Sequence, residues 1–137
     1  MTSKKITILG GGNLGAAIAE GLLKSGFTQA SDLTVTRRTL DRLAYLKDKG
    51  VTTTSDNAAA IKASEIIIVA LKPYNVKEVL EGLKSLFDPT RHIVISVVTG
   101  VSIMDLSAIV GSKIPLFRAM PNTAIAIQES VTCLCSQ

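Results

Sequence analysis

Short apolar runs alternate with segments of helical spacing along the whole chain. The runs predict strands at residues 5–9, 33–36, 51–53, 66–70, 93–97 and 116–118, and residues 124–137 are typical of one more strand. Between the runs, apolar residues recur every three or four positions, as in Leu14, Ile18 and Leu22, which is the period of an amphipathic helix. The pattern therefore predicts strands and helices in alternation.

Residues that begin or end helices stand at matching places. They are Gly26 after the first helix, Thr39 and Asp56 as N-caps of the second and third, and Pro73 in the first turn of the fourth. Such alternation implies parallel strands joined by right-handed crossovers, and a continuous run such as IIIVAL at 66–71 implies a strand covered on both faces. The predicted fold class is α/β: a doubly wound, mostly parallel Rossmann-type sheet with helices on both faces.

The composition fits one globular domain and disfavours nucleic acid as a partner. The chain has 137 residues, of which 47% are hydrophobic, and this suffices for one substantial core. Its net charge of +4 is a small excess, and with 4% aromatic residues and no Trp it lacks the stacking surface of a single-strand binder. No apolar run approaches the roughly 18 residues that a membrane span needs, so we expect a cytoplasmic protein with no membrane partner.

The chain has two cysteines and one histidine, the residue types that most often bind transition metals. Cys133 and Cys135 would share one face of a strand, and His92 stands far from them in the chain. Since a tetrahedral metal site needs further ligands nearby, we expect no metal. We expect instead that both thiols are buried in the terminal strand and that His92 has a structural role.

A glycine-rich loop joins the first predicted strand to the first helix. In the stretch GGGNLG, Gly10, Gly12 and Gly15 fill the spacing GxGxxG. The first glycine permits a tight turn, the second a close approach of a pyrophosphate, and the third close packing of the helix on the sheet. Gly11, Asn13 and Leu14 would offer backbone N–H groups at the positive end of the helix. The loop predicts dinucleotide binding, with a purely structural glycine turn as the alternative.

The residues after the second strand bear on which dinucleotide binds. The strand ends in TVTRRT, so Thr36, Arg37, Arg38 and Thr39 stand where an NAD site usually has an acidic residue for the ribose hydroxyls. Guanidinium groups bind phosphate oxygens in a bidentate manner, which favours NADP(H) over NAD(H) as the cofactor. The alternative is that Arg37 and Arg38 are solvated surface residues without a ligand.

The carboxyl ends of the later strands supply further candidates, because ligands of open α/β sheets bind at that edge. Strand four is followed by VALKPYNV, where Ala70 is small enough to leave room for a cofactor and Pro73 makes the turn rigid. Lys72 could contact the ligand or cap the strand. Thr99 ends strand five in SVVTG, and Asn57 could face the adenosine or cap a helix.

Four motifs in this order resemble one family. GGGNLG, VALKP, SVVTG and RAMPNTA are together similar to the amino-terminal domain of pyrroline-5-carboxylate reductases, over essentially the whole chain. RAMPNTA, at residues 118–124, is the most distinctive of the four. The resemblance implies NADPH-dependent reduction of 1-pyrroline-5-carboxylate to L-proline in proline biosynthesis, with this chain as the cofactor-binding domain.

The resemblance also implies where each part of the cofactor lies. The phosphates would lie on residues 10–14 and the adenosine near Arg37, Arg38 and Asn57. The middle of the cofactor would lie along residues 70–73, which include Leu71.

The nicotinamide would lie beside Thr99 and a turn formed by Met120, Pro121, Asn122 and Thr123. Hydride addition to a protonated imine needs no nucleophile, metal or strong base, so no catalytic residue is assigned.

A domain organisation follows from the same resemblance. Residues 1–124 would form the dinucleotide-binding domain and residues 125–137 a terminal strand segment of it, and the family's carboxy-terminal helical dimerisation domain has no counterpart in this chain. We therefore expect a fragment or truncated form that binds NADP(H) but turns over little substrate alone, and a homo-oligomer for a full-length form. Ala124 stands where the family commonly has Pro, which loosens the turn.

Two other functions stay open. One is a deazaflavin-linked NADP reductase, which shares the glycine loop and the basic end of strand two but not RAMPNTA. The other is a non-catalytic nucleotide-sensing module, for which one domain of this size suffices. Such modules usually keep an acidic residue after strand two, in contrast to Arg37 and Arg38 here.

Overall fold

The computed structural model describes residues 4–121 and 132–136. The strands in these ranges are β1 (Ile6–Leu9), β2 (Leu33–Thr36), β3 (Thr52–Thr54), β4 (Ile66–Val69), β5 (Ile93–Ser96), β6 (Leu116–Pro121) and β7 (Thr132–Ser136). The α-helices are α1 (Asn13–Lys24), α2 (Ala44–Asp48), α3 (Asn57–Lys62), α4 (Pro73–Leu83) and α5 (Ile103–Val110). Short 3-10 turns occupy Ala30–Asp32, Leu40–Leu43 and Lys84–Leu86.

The strands form one sheet in the order β3-β2-β1-β4-β5-β6-β7. Strands β1 to β6 are parallel, and β7 runs antiparallel to β6. The chain winds outward from β1 to β3 and then returns to β4 on the other side of β1, so the winding reverses between β1 and β4. Leu9 is level with Thr36 on one side and with Val69 on the other. The carboxyl ends of three strands therefore meet at a topological switch point, and the predicted doubly wound fold is confirmed.

Helices cover both faces of the sheet, as two successive residues of β1 show. Ile8 belongs to a core shared with Val35 and with Ala19 of α1, whereas Leu9 belongs to a core shared with Val69 and with helices α4 and α5. Both Ile8 and Leu9 are fully buried. Burial of one such side chain stabilises the fold by about 1.5–3 kcal/mol, so both layers contribute to holding β1 in the centre.

Three of the predicted helix boundaries are confirmed by the local geometry. The carboxylate of Asp56 accepts a hydrogen bond from the backbone N–H of Ala59 at 3.0 Å and so caps α3. Pro73 is the first residue of α4, where its missing N–H costs nothing. Gly26, with a φ of 73°, follows α1 by two residues.

The second helix begins differently from the prediction. Thr39 precedes it, but its side chain makes no capping hydrogen bond. Residues 40–43 form a 3-10 turn that carries Leu43 into the core, and α2 begins only at Ala44. Thr39 is thus the N-cap residue of the 3-10 turn and not of α2, and because its side chain makes no capping hydrogen bond, the predicted Thr39 cap is wrong.

The last two strands also differ from the prediction. β6 extends to Pro121, because β7 pairs with residues 117–121 and lengthens the ladder. Met120 and Pro121 therefore lie in a strand and not in the predicted turn. Cys133 and Cys135 are exposed rather than buried, because β7 is the outermost of the described strands and is exposed along its whole length. The predicted domain boundary at residue 124 lies outside the described residues.

His92 occupies a structural position. It is 3% exposed just before β5, and its Nδ1 accepts a hydrogen bond from the backbone N–H of Asp88 at 3.0 Å. Burial, together with the nearby charge of Arg91, holds the pKa of His92 below its usual value. The ring is therefore neutral at pH 7 and ties down the loop that leads into β5.

The helices are all too short to cross a membrane in the part of the chain that the structure describes. The longest of them, α1, has 12 residues, whereas a span needs about 20.

Candidate cofactor site

The glycine loop connects β1 to α1 at the switch point of the sheet. Gly10 has a φ of 103°, in the left-handed region, and a Cβ at this position would lie 2.6 Å from the carbonyl oxygen of Ala70. A Cβ on Gly15 would collide with the carbonyl oxygen of Gly10. Both obstacles are backbone atoms, which cannot rotate aside as a side chain can. The fold therefore requires glycine at positions 10 and 15.

Gly12 is a glycine of a different kind. It is the N-cap of α1, and a Cβ at this position would meet nothing within 4 Å. The packing of the described residues thus places no demand for glycine here. The space in front of Gly12 opens instead into a cleft that a ligand can enter.

The backbone N–H groups of the loop divide into two sets. Gly11 donates its N–H to the carbonyl oxygen of Thr36 at 2.6 Å, and Gly10 donates its N–H to the hydroxyl of Thr36 at 3.3 Å. Gly11 was expected to offer its N–H to a phosphate, and that expectation is wrong because β2 already uses the group. The N–H groups of residues 12–14, by contrast, have no acceptor among the described residues.

Arg37 and Arg38 lie in different surroundings although they are adjacent. Arg37 is half-buried, and its Nη1 donates a hydrogen bond to the carbonyl oxygen of Gly11 at 2.8 Å. Its backbone N–H donates to the carbonyl oxygen of Thr54 at 3.1 Å. Arg38 is exposed and lines the cleft. Both arginines thus line the cleft, and within the described part of the chain Arg37, but not Arg38, contacts the glycine loop.

A cleft of about 320 Å³ lies beside the glycine loop. Residues 10–12, 36–39 and 70–72 line it from the ends of β1, β2 and β4. Arg37, Arg38 and Lys72 are its cations, and its lining among the described residues includes no Asp or Glu. The cleft is therefore suited to an anionic ligand.

Most of the predicted cofactor residues meet in this cleft. They are residues 10–12, Thr36, Arg37, Arg38, Asn57 and residues 70–72. Asn13, Leu14 and Gly15 form the start of α1 and Pro73 the start of α4, so they contribute backbone position rather than lining. Thr99 is exposed beyond the end of β5 and outside the lining.

Asn57 and Lys72, for which two interpretations were left open, both line the cleft. Because Asp56 caps α3, Asn57 is not needed as a cap, and it lines the cleft. Lys72 stands at the N-cap of α4, where its side chain makes no capping hydrogen bond, and it also lines the cleft. Contact of either residue with a ligand stays a prediction.

Sequence reasoning missed three residues of the lining, namely Ser55, Asn75 and Val79. Ser55 directly follows β3, so the carboxyl-end rule that found Arg37 would have found it as well. Asn75 and Val79 are spaced along α4 at helical intervals from Lys72, and that spacing was the available signal.

The predicted nicotinamide side of the site is described only in part. Met120 and Pro121 are half-buried in β6, and Asn122 and Thr123 lie outside the described residues. Pro121 lines an apolar groove of about 200 Å³ on the side of the sheet that α1 covers. The structure therefore describes the phosphate and ribose side of the candidate site more fully than the nicotinamide side.

The sheet and the site together define a class of protein. A doubly wound parallel sheet, a glycine loop at its switch point and an open helix N-terminus beside a cationic cleft characterise the Rossmann-type fold of dinucleotide-binding proteins. The chain belongs to the family described as NADP oxidoreductase, coenzyme F420-dependent, which matches residues 5–100.

Individual relatives are similar over nearly the whole chain. Pyrroline-5-carboxylate reductase 2 of Dictyostelium discoideum is 41% identical over an alignment of 138 residues, and the match covers 98% of this chain and 46% of that protein. A solved pyrroline-5-carboxylate reductase from Coxiella burnetii is 34% identical with a TM-score of 0.92, and the match covers 99% of this chain and 50% of that one. A solved pyrroline carboxylate reductase from Plasmodium falciparum, with NADP bound, is 26% identical with a TM-score of 0.86 and coverages of 100% and 49%.

The resemblance stated from the four motifs is thereby confirmed. The chain spans about half the length of the relatives it matches.

Replacing single glycines of α1 tests whether the loop geometry is required by the fold. Gly15→Ala should destabilise the chain by about 1–3 kcal/mol, because the new methyl group meets the Gly10 carbonyl oxygen. Gly21→Ala, in the same helix with nothing near its Cβ position, is the matched control and should stabilise by about 0.5–1 kcal/mol. Urea unfolding measures both, and equal stability of the two variants would contradict the geometry.

Proposed function

We propose that this chain binds NADP(H) in the cleft beside the glycine loop and supplies the cofactor-binding domain of a 1-pyrroline-5-carboxylate reductase. The observation that carries the proposal is that the open N-terminus of α1 faces a cleft lined by three cations and, among the described residues, by no carboxylate. The family description and the names of the relatives support it. The relative from Plasmodium falciparum has NADP bound.

The N–H groups of residues 12–14 are the proposed site of the diphosphate. They stand at the N-terminus of α1, where the aligned peptide dipoles place about half a positive charge. Phosphate oxygens would accept these N–H groups without breaking a hydrogen bond among the described residues. The open space at Gly12 lets the phosphates approach the backbone closely.

Arg38, with the hydroxyls of Thr39 and Ser55, is the proposed site of the phosphorylated ribose. All three residues line the cleft next to the end of β2. The guanidinium of Arg38 is exposed and can bind two phosphate oxygens at once. Asp56, which is adjacent to Ser55, uses its carboxylate to cap α3. This arrangement favours a 2′-phosphate and hence NADP(H) over NAD(H).

The residues of this chain would hold and orient the cofactor during the reaction. NADPH, when bound, supplies a hydride, and the proposed acceptor is the imine carbon of 1-pyrroline-5-carboxylate, which becomes a carbon of L-proline. A protonated imine accepts hydride without a nucleophile, so orientation and exclusion of water are the proposed contributions of the protein.

Several finer points stay predictions. They are the nicotinamide contacts of Thr99, Met120, Pro121, Asn122 and Thr123, a homo-oligomeric state and a cytoplasmic location.

Calorimetry of NADPH and NADH binding tests the cofactor assignment. The wild-type chain should bind NADPH more tightly than NADH. The Arg37→Ala/Arg38→Ala double variant should lower the ratio of the two affinities at least about tenfold, because hydrogen bonds to a charged group contribute about 1.5–3 kcal/mol.

Arg42→Ala is the control, since it removes an exposed arginine from the adjoining turn but not from the cleft. This variant should leave the ratio unchanged. The assignment fails if the double variant also leaves it unchanged, or if the wild-type chain gives no heat with millimolar NADPH.

A deazaflavin-linked reductase is the second candidate, because the description of the matching family names coenzyme F420. The RAMPNTA segment, at residues 118–124, lies beyond the matched residues 5–100, and its resemblance to pyrroline-5-carboxylate reductases argues for the imine substrate. The two candidates therefore share the cofactor site and differ in the acceptor.

Oxidation of NADPH in the presence of each acceptor separates the two candidates. Because the chain spans about half the length of its relatives, the assay uses the protein isolated from its natural source. We expect turnover with 1-pyrroline-5-carboxylate and none above background with F420. The reverse result would establish the second candidate, and NADPH binding without turnover of either acceptor would favour a nucleotide-sensing module.

A further inference from the structure

The guanidinium of Arg37 is bonded to the glycine loop. Its Nη1 donates to the carbonyl oxygen of Gly11 at 2.8 Å, so a side chain at the end of β2 reaches back to a residue 26 positions earlier. A guanidinium nitrogen in this bond cannot at the same time donate that proton to a ribose phosphate. The contact therefore gives Arg37 a task that does not require direct contact with the ribose.

Gly11 is held by two consecutive residues: Thr36, the last residue of β2, and Arg37, which follows it. Its N–H donates to the carbonyl oxygen of Thr36 at 2.6 Å, and its carbonyl oxygen accepts from Arg37. The side chains of Val35 and Leu43 close on its Cα, since a Cβ there would lie 2.9 Å and 2.8 Å from them. The orientation of the peptide that leads into Gly12 is thereby set, and with it the direction of the N–H groups that follow.

Arg37 is anchored well enough to act as such a brace. Its backbone N–H donates to the carbonyl oxygen of Thr54 in β3, and its side chain is half-buried. Arg38 is exposed and has no such contact with the loop in the described part of the chain. Adjacent arginines in such different surroundings are suited to different tasks.

We propose that Arg37 is a positioning residue that holds the glycine loop in the geometry that binds the diphosphate, whereas Arg38 recognises the phosphate on the ribose. This inference rests on the proposed binding of NADP(H). It predicts that the two arginines affect different parts of one ligand.

Two nucleotide fragments separate the two roles. ADP carries the diphosphate and an unmodified ribose, whereas 2′-AMP carries only the ribose phosphate. Arg37→Met keeps the length of the side chain and removes its donors. It should weaken the binding of ADP about tenfold and change the affinity for 2′-AMP less than about threefold. Arg38→Met should show the opposite pattern. Arg37→Lys restores a donor and a charge and should recover part of the ADP affinity.

The crossed pattern distinguishes positioning from a general loss of structure, which would weaken both fragments alike. Thermal unfolding of each variant checks that it is folded. The inference is overturned if Arg37→Met weakens the binding of 2′-AMP as much as Arg38→Met does, or if it leaves the binding of ADP unchanged. In either case NADPH binding by the wild-type chain would still support the proposed function. Failure of the wild-type chain to bind NADPH would overturn both.

Discussion

The path of the glycine loop between β1 and α1 is the constraint on which the rest of the site depends. The carbonyl oxygen of Ala70 lies where a side chain of residue 10 would be, and the carbonyl oxygen of Gly10 lies where a side chain of residue 15 would be. Two backbone segments and the start of a helix therefore pack with no room for a methyl group. This contact fixes the N-terminus of α1 at the centre of the sheet edge, where the winding of the strands reverses.

The polarity of the site follows from how the loop satisfies its hydrogen bonds. The end of β2 accepts the N–H of Gly11 and donates to its carbonyl oxygen, so this residue is saturated within the fold. The N–H groups of residues 12–14 are left facing the cleft, with Arg38 and Lys72 on its walls. The charge that attracts phosphate is therefore present before a ligand binds, and little reorganisation is needed on binding.

The sequence was a good guide to features that local backbone rules determine. The individual strands and helices, the glycine spacing and the end of β2 could be predicted because each depends on the pattern of a few consecutive residues. The bond from Arg37 to Gly11 could not, because it depends on the register of β1 against β2. The exposure of Cys133 and Cys135 was missed because an apolar pattern does not distinguish an edge strand from a central one. Pro121 was wrongly predicted to lie in a turn, because its pairing with β7 is a tertiary contact that the local sequence does not reveal.

Amide hydrogen exchange of the loop, followed by NMR, tests most directly whether β2 holds the loop ready for the cofactor. Without ligand, the amide of Gly11 should exchange slowly and the amides of Gly12, Asn13 and Leu14 rapidly. NADPH should slow exchange at residues 12–14 and leave Gly11 unchanged. Rapid exchange at Gly11 in the free protein, or no slowing at residues 12–14 with NADPH bound, would contradict the account.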